Sequence, residues 1–389
     1  MCRKNILFLI TILSFLVVHN SFAKDNITNP NDNNSDNGLR VVAAGCLPAT
    51  SSTELNINNV RTLILGGGDM WWDLNNAVYE IPQGSNKHSM FAGALWIGGL
   101  DDQDNLKVAA MTYRQDGNDF WPGPLNADPM STEYGSVSAS TCAEFDQHYR
   151  ITRQEVEDYV AYTNCLSDPE CDMSTFSDYV QPSIISDWPA SRIDVDGTYD
   201  YLAPYVDVNG DGDYTVGLDY PGYDLEGVAD CKTDDVLFGD QTLWWVFNDN
   251  GNIHTESGSE SAIGLEIQAQ AFGFATNDEI NNMTFYSYKI INRSTESLNE
   301  TYFGQWVDPD LGNYQDDYVG CDVELGLGYC YNGDADDDGA YGYNNDSDDP
   351  PPAIGVDFFR GPLADSGDQL DNDMDGQIDE PGEQIIMSK

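Results

Sequence analysis

Three stretches of the chain repeat the pattern Asp-x-[Asp/Asn]-x-Asp-Gly: Asp207, Asn209, Asp211, Gly212; Asp334, Asp336, Asp338, Gly339; and Asp371, Asp373, Asp375, Gly376. Side-chain oxygens at alternate positions, followed by a glycine that permits a sharp turn, are what a loop needs to wrap a hard cation. Calcium takes six to eight oxygen ligands and is held in this way. Each loop also carries a carboxylate at its thirteenth position: Asp219, Asp346 and Glu383. Asp213 and Thr215 add oxygens inside the first loop, and Asp379 adds one inside the third. The expected calcium ligands are therefore Asp207, Asn209, Asp211, Asp213 and Asp219; Asp334, Asp336, Asp338 and Asp346; and Asp371, Asp373, Asp375, Asp379 and Glu383. A fourth run, Asp308-Pro309-Asp310-Leu311-Gly312 followed by Asp316, Asp317 and Asp322, offers a further site just after a predicted strand.

Cysteine is the second chemical signal. Of the eight cysteines, Cys165/Cys171 and Cys321/Cys330 are close pairs, each able to close a short loop as a disulfide in an oxidising compartment. Zinc is the chemical rival, but there is no Cys-x-x-Cys, and His88, His148 and His254 are the only histidines beyond the N-terminal segment. With Cys2 in the N-terminal segment expected to be removed, Cys46, Cys142 and Cys231 remain, and one of them must stay unpaired or pair outside the chain.

Catalytic signatures are absent: there is no His-Glu-x-x-His, no Gly-x-Ser-x-Gly and no Walker loop. Carboxylate pairs for glycoside hydrolysis carry no information among 67 acidic residues. Trp71-Trp72 and Trp244-Trp245 could stack on sugars, but adjacent tryptophans on a strand point to opposite faces, one of them into the core.

Charge limits the partners. Sixteen basic against 67 acidic residues give −51 over 389 residues, which excludes nucleic acid and docking on anionic membranes through a basic patch. With 12% aromatic residues the chain is folded rather than an acidic disordered tail. Arg3 and Lys4, the apolar run Ile6 to Val18, and Ser21-Phe22-Ala23 read as a secretory signal peptide over residues 1–23. Its removal takes away two basic residues and no acidic ones, leaving −53. No later apolar run approaches membrane-spanning length, so no membrane span is expected in the mature chain.

The elements that must position these residues are mainly strands. Residues 24–55 read as a flexible leader, 56–200 as an N-terminal β-rich domain with one short helix, and 201–389 as a β-sandwich-like domain carrying the acidic loops. Thr62 to Leu65, Met90 to Ile97 and Leu106 to Tyr113 are predicted strands in the first. Leu243 to Phe247, Ala262 to Thr276, Met283 to Asn292 and Thr301 to Val307 are predicted in the second. Thr152 and Glu155 form a capping box ahead of Val156, Tyr159 and Val160, which predicts a helix running to Cys165. Residues 166–200 read as irregular. The expected fold is mainly β, an antiparallel β-sandwich with one short helix. From Ser294 to Phe359 there are 16 acidic residues and no Lys or Arg, which reads as ordered loops around cations.

The loops resemble the EF-hand-like loops of dockerins and thrombospondin type-3 repeats rather than paired EF-hands: position twelve is Leu218, Asn345 or Gly382 instead of a bidentate Glu. The chain as a whole resembles large secreted proteins of Bacteroidetes that normally end in a type IX secretion sorting domain. The stretches that carry this are Asn58-Asn59-Val60-Arg61 with Gly67 to Asp73, Phe91 to Gly99, Thr112 to Pro124, Phe272 to Met283 and Gly304 to Asn313. The resemblance covers most of residues 56–389 and implies export and surface display, with no known activity. The sorting domain is not among these 389 residues, so the chain is expected to be the N-terminal portion of a longer protein. Taken together, the reading is an exported, calcium-stabilised adhesin or structural surface module. Its partners are calcium ions and either surface polysaccharide or other cell-surface proteins. The alternative is a carbohydrate-binding or glycoside-hydrolase-type protein.

Overall fold

The computed structural model describes residues 44–114, 117–193, 199–229, 235–322, 325–339, 341–343, 351–359, 361, 369 and 378. The signal-peptide segment, residues 24–43 of the leader and the loop at 371–383 lie outside them. One compact unit takes in Ala43–Tyr318 and Cys330–Ile354; a second takes in Val319–Tyr329 and the residues from Gly355 on.

The two largest sheets of the first unit are antiparallel. One runs in the order Ser52–Leu55, Thr62–Leu65, Asp69–Met70, Ala92–Leu100, Asn299–Asp308, with Leu106–Ala109 also paired to Ala92–Leu100. The other runs Phe285–Asn292, Leu265–Gly273, Gln241–Asn248, Trp121–Pro122, with Tyr149–Thr152 also paired to Gln241–Asn248. The expected antiparallel sandwich is thus present, and several strands begin and end within two or three residues of their predicted limits.

Of the central strands of the second sheet, one carries the apolar run Leu243 to Phe247, and the other sets Glu266, Gln268 and Gln270 between apolar residues. Every residue of Gln241–Asn248 and Leu265–Gly273 is buried, which is what a strand covered on both faces requires. On one face, Trp244 and Val246 join a cluster with Tyr149, Val156, Tyr159, Trp188 and Tyr223. On the other, Phe247 lies against Gly68 of the first sheet, so closely that a Cβ at Gly68 would stand 2.8 Å from its ring. Gly68 also holds φ +81°, a conformation that costs glycine little.

The helix Arg153–Ser167 forms the layer beyond the second sheet. Thr152 caps it, accepting from the Glu155 N–H while the Glu155 carboxylate accepts from the Thr152 N–H, so the predicted capping box is formed. Val156 and Tyr159 face inward as expected. Residues 166–200 hold more than irregular chain: a 3₁₀ turn at Met173–Phe176, a short helix at Ser183–Ser186 and a strand at Ser191–Ile193. Ala139–Glu144 is a further helix.

Strand pairing crosses the expected boundary at residue 200. Asn299–Asp308 pairs with Ala92–Leu100, while Trp121–Pro122 and Tyr149–Thr152 pair with Gln241–Asn248. Both sheets draw strands from both halves of the chain, so neither half holds a complete core. The second unit carries the outer parts of three strands, Asp317–Asp322, Leu327–Asn332 and Ala353–Asp357, which pair in that order.

Candidate metal centre

The loop 207–219 closes a short antiparallel ribbon, Tyr205–Val206 against Tyr220–Pro221. Its backbone is tied by two carboxylates. Asp207 accepts from the N–H groups of Gly210 (2.7 Å), Asp211 (3.3 Å) and Gly212 (2.7 Å). Buried Asp219 accepts from Val208 (2.8 Å) and Thr215 (2.7 Å). Gly210, Gly212 and Gly217 take positive φ of 74°, 84° and 91°, which lets the chain turn back on the carboxylates. The Gly212 carbonyl accepts from the Tyr205 and Tyr201 hydroxyls, and Tyr214 donates to the Ile185 carbonyl, so the loop is fastened to the aromatic core. Backbone donors, the Gly212 N–H foremost, hold the Asp207 carboxyl below its usual range. Asn209, Asp211 and Asp213 stay exposed on the outside of the turn, with Asn209 donating to Asp211 at 2.7 Å. Their donors are all oxygen on the acceptor side, the set that suits a hard cation. A carboxylate has about four lone-pair sites, so Asp207 keeps capacity beyond its three N–H bonds.

The second predicted loop does something different. Asp334 caps its own turn through the Asp336 N–H (2.9 Å), and the Asp338 N–H donates to Asp316 (3.1 Å). The buried acid is Asp337, at 1% exposure, which accepts from the N–H groups of Asn313 and Tyr343. A Cβ at Gly312 would stand 2.1 Å from its carboxylate. The pattern Asp-x-Asp-x-Asp marked the flanks of this turn and missed its anchor. Asp346 lies outside the described residues, as do Asp371, Asp373, Asp375, Asp379 and Glu383 of the third loop.

Around Asp337 the fourth acidic run gathers. Asp308 accepts from the Tyr113 hydroxyl at 2.6 Å, and Asp317 accepts from the Leu311 N–H at 2.9 Å. Burial, with Asp308 and Asp317 beside it, pushes Asp310 up to about 7. Burial, with Asp316 and Asp337 nearby, raises Asp317 to about 6. Carboxylates crowded in this way share protons or share a cation. Among the described residues no three His, Cys, Asp or Glu side chains converge closely enough to hold a metal ion by themselves. The described loops are held instead by carboxylates accepting from backbone N–H groups.

The cysteines divide differently from expectation. Cys165–Cys171 is a disulfide, as predicted, closing the end of the long helix. Cys46–Cys142 is a second, spanning 96 residues and joining the leading segment to the Ala139–Glu144 helix. The expected Cys321–Cys330 bridge is not formed: Cys330 is a buried thiol whose partner is the Asp317 carboxylate, and burial pushes it up to about 12. Cys231 lies outside the described residues.

Of the stretches that carry the family resemblance, Gly67 to Trp72 proves to be core. Asp69 is fully buried and paired bidentately with Arg114, whose third nitrogen donates to the Ala49 carbonyl at 2.6 Å. Trp71 packs against Tyr79 and Tyr286, and Trp72 against Phe91 and Tyr113. All four residues of the tandem Trp pairs are buried, at 4%, 2%, 1% and 1% exposure, because a covered layer lies on each side of them. None is placed to stack on a sugar.

No family model, curated protein or solved structure matches the chain. Among the described residues no helix is long and apolar enough to cross a membrane.

Proposed function

We propose that this chain is an exported, calcium-stabilised β-sandwich module that serves as an adhesin or structural unit of the cell surface, in keeping with its resemblance to secreted Bacteroidetes proteins. The observation that carries the reading is the 207–219 loop. Two carboxylates pre-fold its backbone and three oxygen-bearing side chains stand exposed along the same turn. The two disulfides support an oxidising destination. Asp207, Asn209, Asp211 and Asp213 would hold the ion, which would neutralise these acids and lock the turn. Extracellular calcium modules bind at about 0.1–1 mM. At ~2 mM calcium and a dissociation constant of ~0.1 mM, one site adds roughly 1.8 kcal/mol by mass action. The test is thermal unfolding in excess chelator and after calcium is restored. Calcium is expected to raise the midpoint by several degrees where sodium of equal ionic strength does not, and Asp211→Ala to remove part of that gain. Identical melting curves with chelator and with calcium would remove calcium from the proposal.

The carbohydrate reading rests on one exposed pair. Tyr318 and Tyr331 stack with centroids 6.0 Å apart and are 59% and 44% exposed. Flat exposed rings suit the apolar faces of sugars. A glycan array with a Tyr318→Ala, Tyr331→Ala double variant decides it: binding that the variant abolishes favours sugar, and a blank array favours the scaffold reading.

A further inference from the structure

His254 is 4% exposed and lies where the two sheets of the sandwich come together. Its Nδ1 is 2.8 Å from the Val108 carbonyl oxygen, in the Leu106–Ala109 strand of the first sheet. Its Nε2 is 2.6 Å from the Asp249 carbonyl oxygen, immediately after the Gln241–Asn248 strand of the second. A carbonyl oxygen can only accept. A neutral imidazole has one N–H and one lone pair, so it can satisfy one of these contacts and must turn its lone pair against the other oxygen. Both contacts are attractive only when both nitrogens carry hydrogen.

The surroundings have the charge that such a cation requires. Asp119 lies 3.8 Å from Nδ1 and Asp249 lies 3.5 Å from Nε2, each with a fully buried side chain. Three backbone N–H groups hold each of them. Ala110, Glu256 and Ser257 donate to Asp119; Ile263, Gly264 and Leu265 donate to Asp249. Each of the four oxygens accepts at least one of these N–H groups, as carboxylate oxygens do in charge-assisted hydrogen bonds. Burial pushes the Asp249 carboxyl up, and the neighbouring His254 together with the three N–H donors opposes that push. The Trp121 ring lies 5.8 Å from the imidazole, within the range of a cation–π contact.

We infer that His254 is carried in the fold as an imidazolium, a charged clasp that binds the ends of the two sheets through Val108 and Asp249 between the carboxylates of Asp119 and Asp249. The segment it fastens is the 249–264 connection between the Gln241–Asn248 and Leu265–Gly273 strands. That connection also donates the Asn252 amide to the Cys46 carbonyl. Loss of the second proton would set a lone pair against a carbonyl oxygen and leave two buried carboxylates without a cation. The clasp is thus a proton-dependent fastening. No described residue of the acidic loops is among the hydrogen-bond or ion-pair partners of His254.

The experiment is long-range proton–nitrogen NMR on the intact protein labelled with ¹⁵N-histidine, at pH 7.5. His254→Gln identifies the signal; should that variant not fold, the resonance displaced by Asp119→Asn identifies it. The inference requires both His254 ring nitrogens to show the protonated shift in the folded protein. The same residue in the urea-unfolded chain at this pH should be mainly neutral. Asp249→Asn, which removes one flanking charge, should convert the folded signal toward the neutral form. A single protonated nitrogen on His254 in the folded wild-type protein overturns the inference; the variants serve only to assign its signal.

Discussion

At the scale of single residues, the acids of this chain act mostly as acceptors for its own backbone. Asp69 is the contrasting case: it is fully buried and its counter-ion is the side chain of Arg114. Removing one partner of a buried pair leaves an uncompensated charge and typically costs about 3–5 kcal/mol. Arg114→Met should therefore lower the urea midpoint severely, while Arg114→Met combined with Asp69→Leu should recover part of the loss; equal losses in the two would show that the pair is not coupled. Titration supplies a second test. His148 packs its ring 5.3 Å from Trp245, and burial depresses it to about 4 from 6.5. The unfolded chain takes up its proton first, so this residue's contribution is present above pH 6.5 and is lost as pH falls toward 4, by at most about 3 kcal/mol. Asp310 and Asp317, raised to about 7 and about 6, act in the opposite sense. Native protein holds their protons while the unfolded chain has released them above pH 4, so their contribution declines as pH rises from 4 to 7. In chelator, His148→Gln should make stability fall more steeply with rising pH over that window than in wild type. Asp310→Asn with Asp317→Asn should make it fall less steeply. Superimposable pH profiles for wild type and either variant would contradict the corresponding assignment.

At the scale of elements, what the sequence revealed was local. The capping box at Thr152 and Glu155, the inward Val156 and Tyr159, and the six-residue Cys165–Cys171 spacing all lie within a few turns of chain, where a pattern and its partner are seen together. The strands were legible because alternation and continuous apolar runs are properties of one strand and its layer. What was hidden depended on distant chain. Nothing near Cys46 marks Cys142 as its partner, Asp337 is an anchor only because Asn313 and Tyr343 fold over it, and Cys330 turns its thiol to Asp317 rather than to a second sulfur. The acidic loops fall between these cases: the turn of 207–219 and the run Asp308 to Asp317 were readable from spacing, whereas Asp337 joins that run from farther along the chain. The two disulfides test this difference of range. In the chain-entropy account, closing the 96-residue separation of Cys46–Cys142 restricts the unfolded state by about 4–5 kcal/mol, and closing the six-residue one by only about 2 kcal/mol. Replacing both cysteines of the long bridge by alanine should thus destabilise the protein roughly twice as much as the same change at the short one, measured by urea unfolding. An equal or reversed order would mean that strain or residual structure, rather than loop length, governs them.

At the scale of the whole molecule, two facts act together: strands from both halves of the chain interleave in both sheets, and the full sequence carries a formal charge of −51. Interleaving makes the core cooperative, because removing either half strips strands from both sheets. The charge opposes compaction everywhere, since net charge far from zero destabilises the folded state by self-repulsion. Most of that repulsion is between exposed groups, and it is screened over ~10 Å at 0.1 M salt and ~3 Å at 1 M. Metal-free protein should therefore melt several degrees higher in ~0.5 M sodium chloride than in ~0.02 M, without any specific site being filled. The same comparison separates screening from ligation. In ~0.5 M sodium chloride, ~2 mM calcium changes the ionic strength negligibly, so any further rise in the midpoint comes from oxygen ligands that grip the ion. We expect that rise to persist at high salt and to shrink in Asp207→Ala, whose carboxylate also ties three backbone N–H groups of the loop. A calcium effect that vanishes at high sodium would mean that the ion acts on this protein only as a counter-charge, leaving the acidic loops to be held by their own hydrogen bonds.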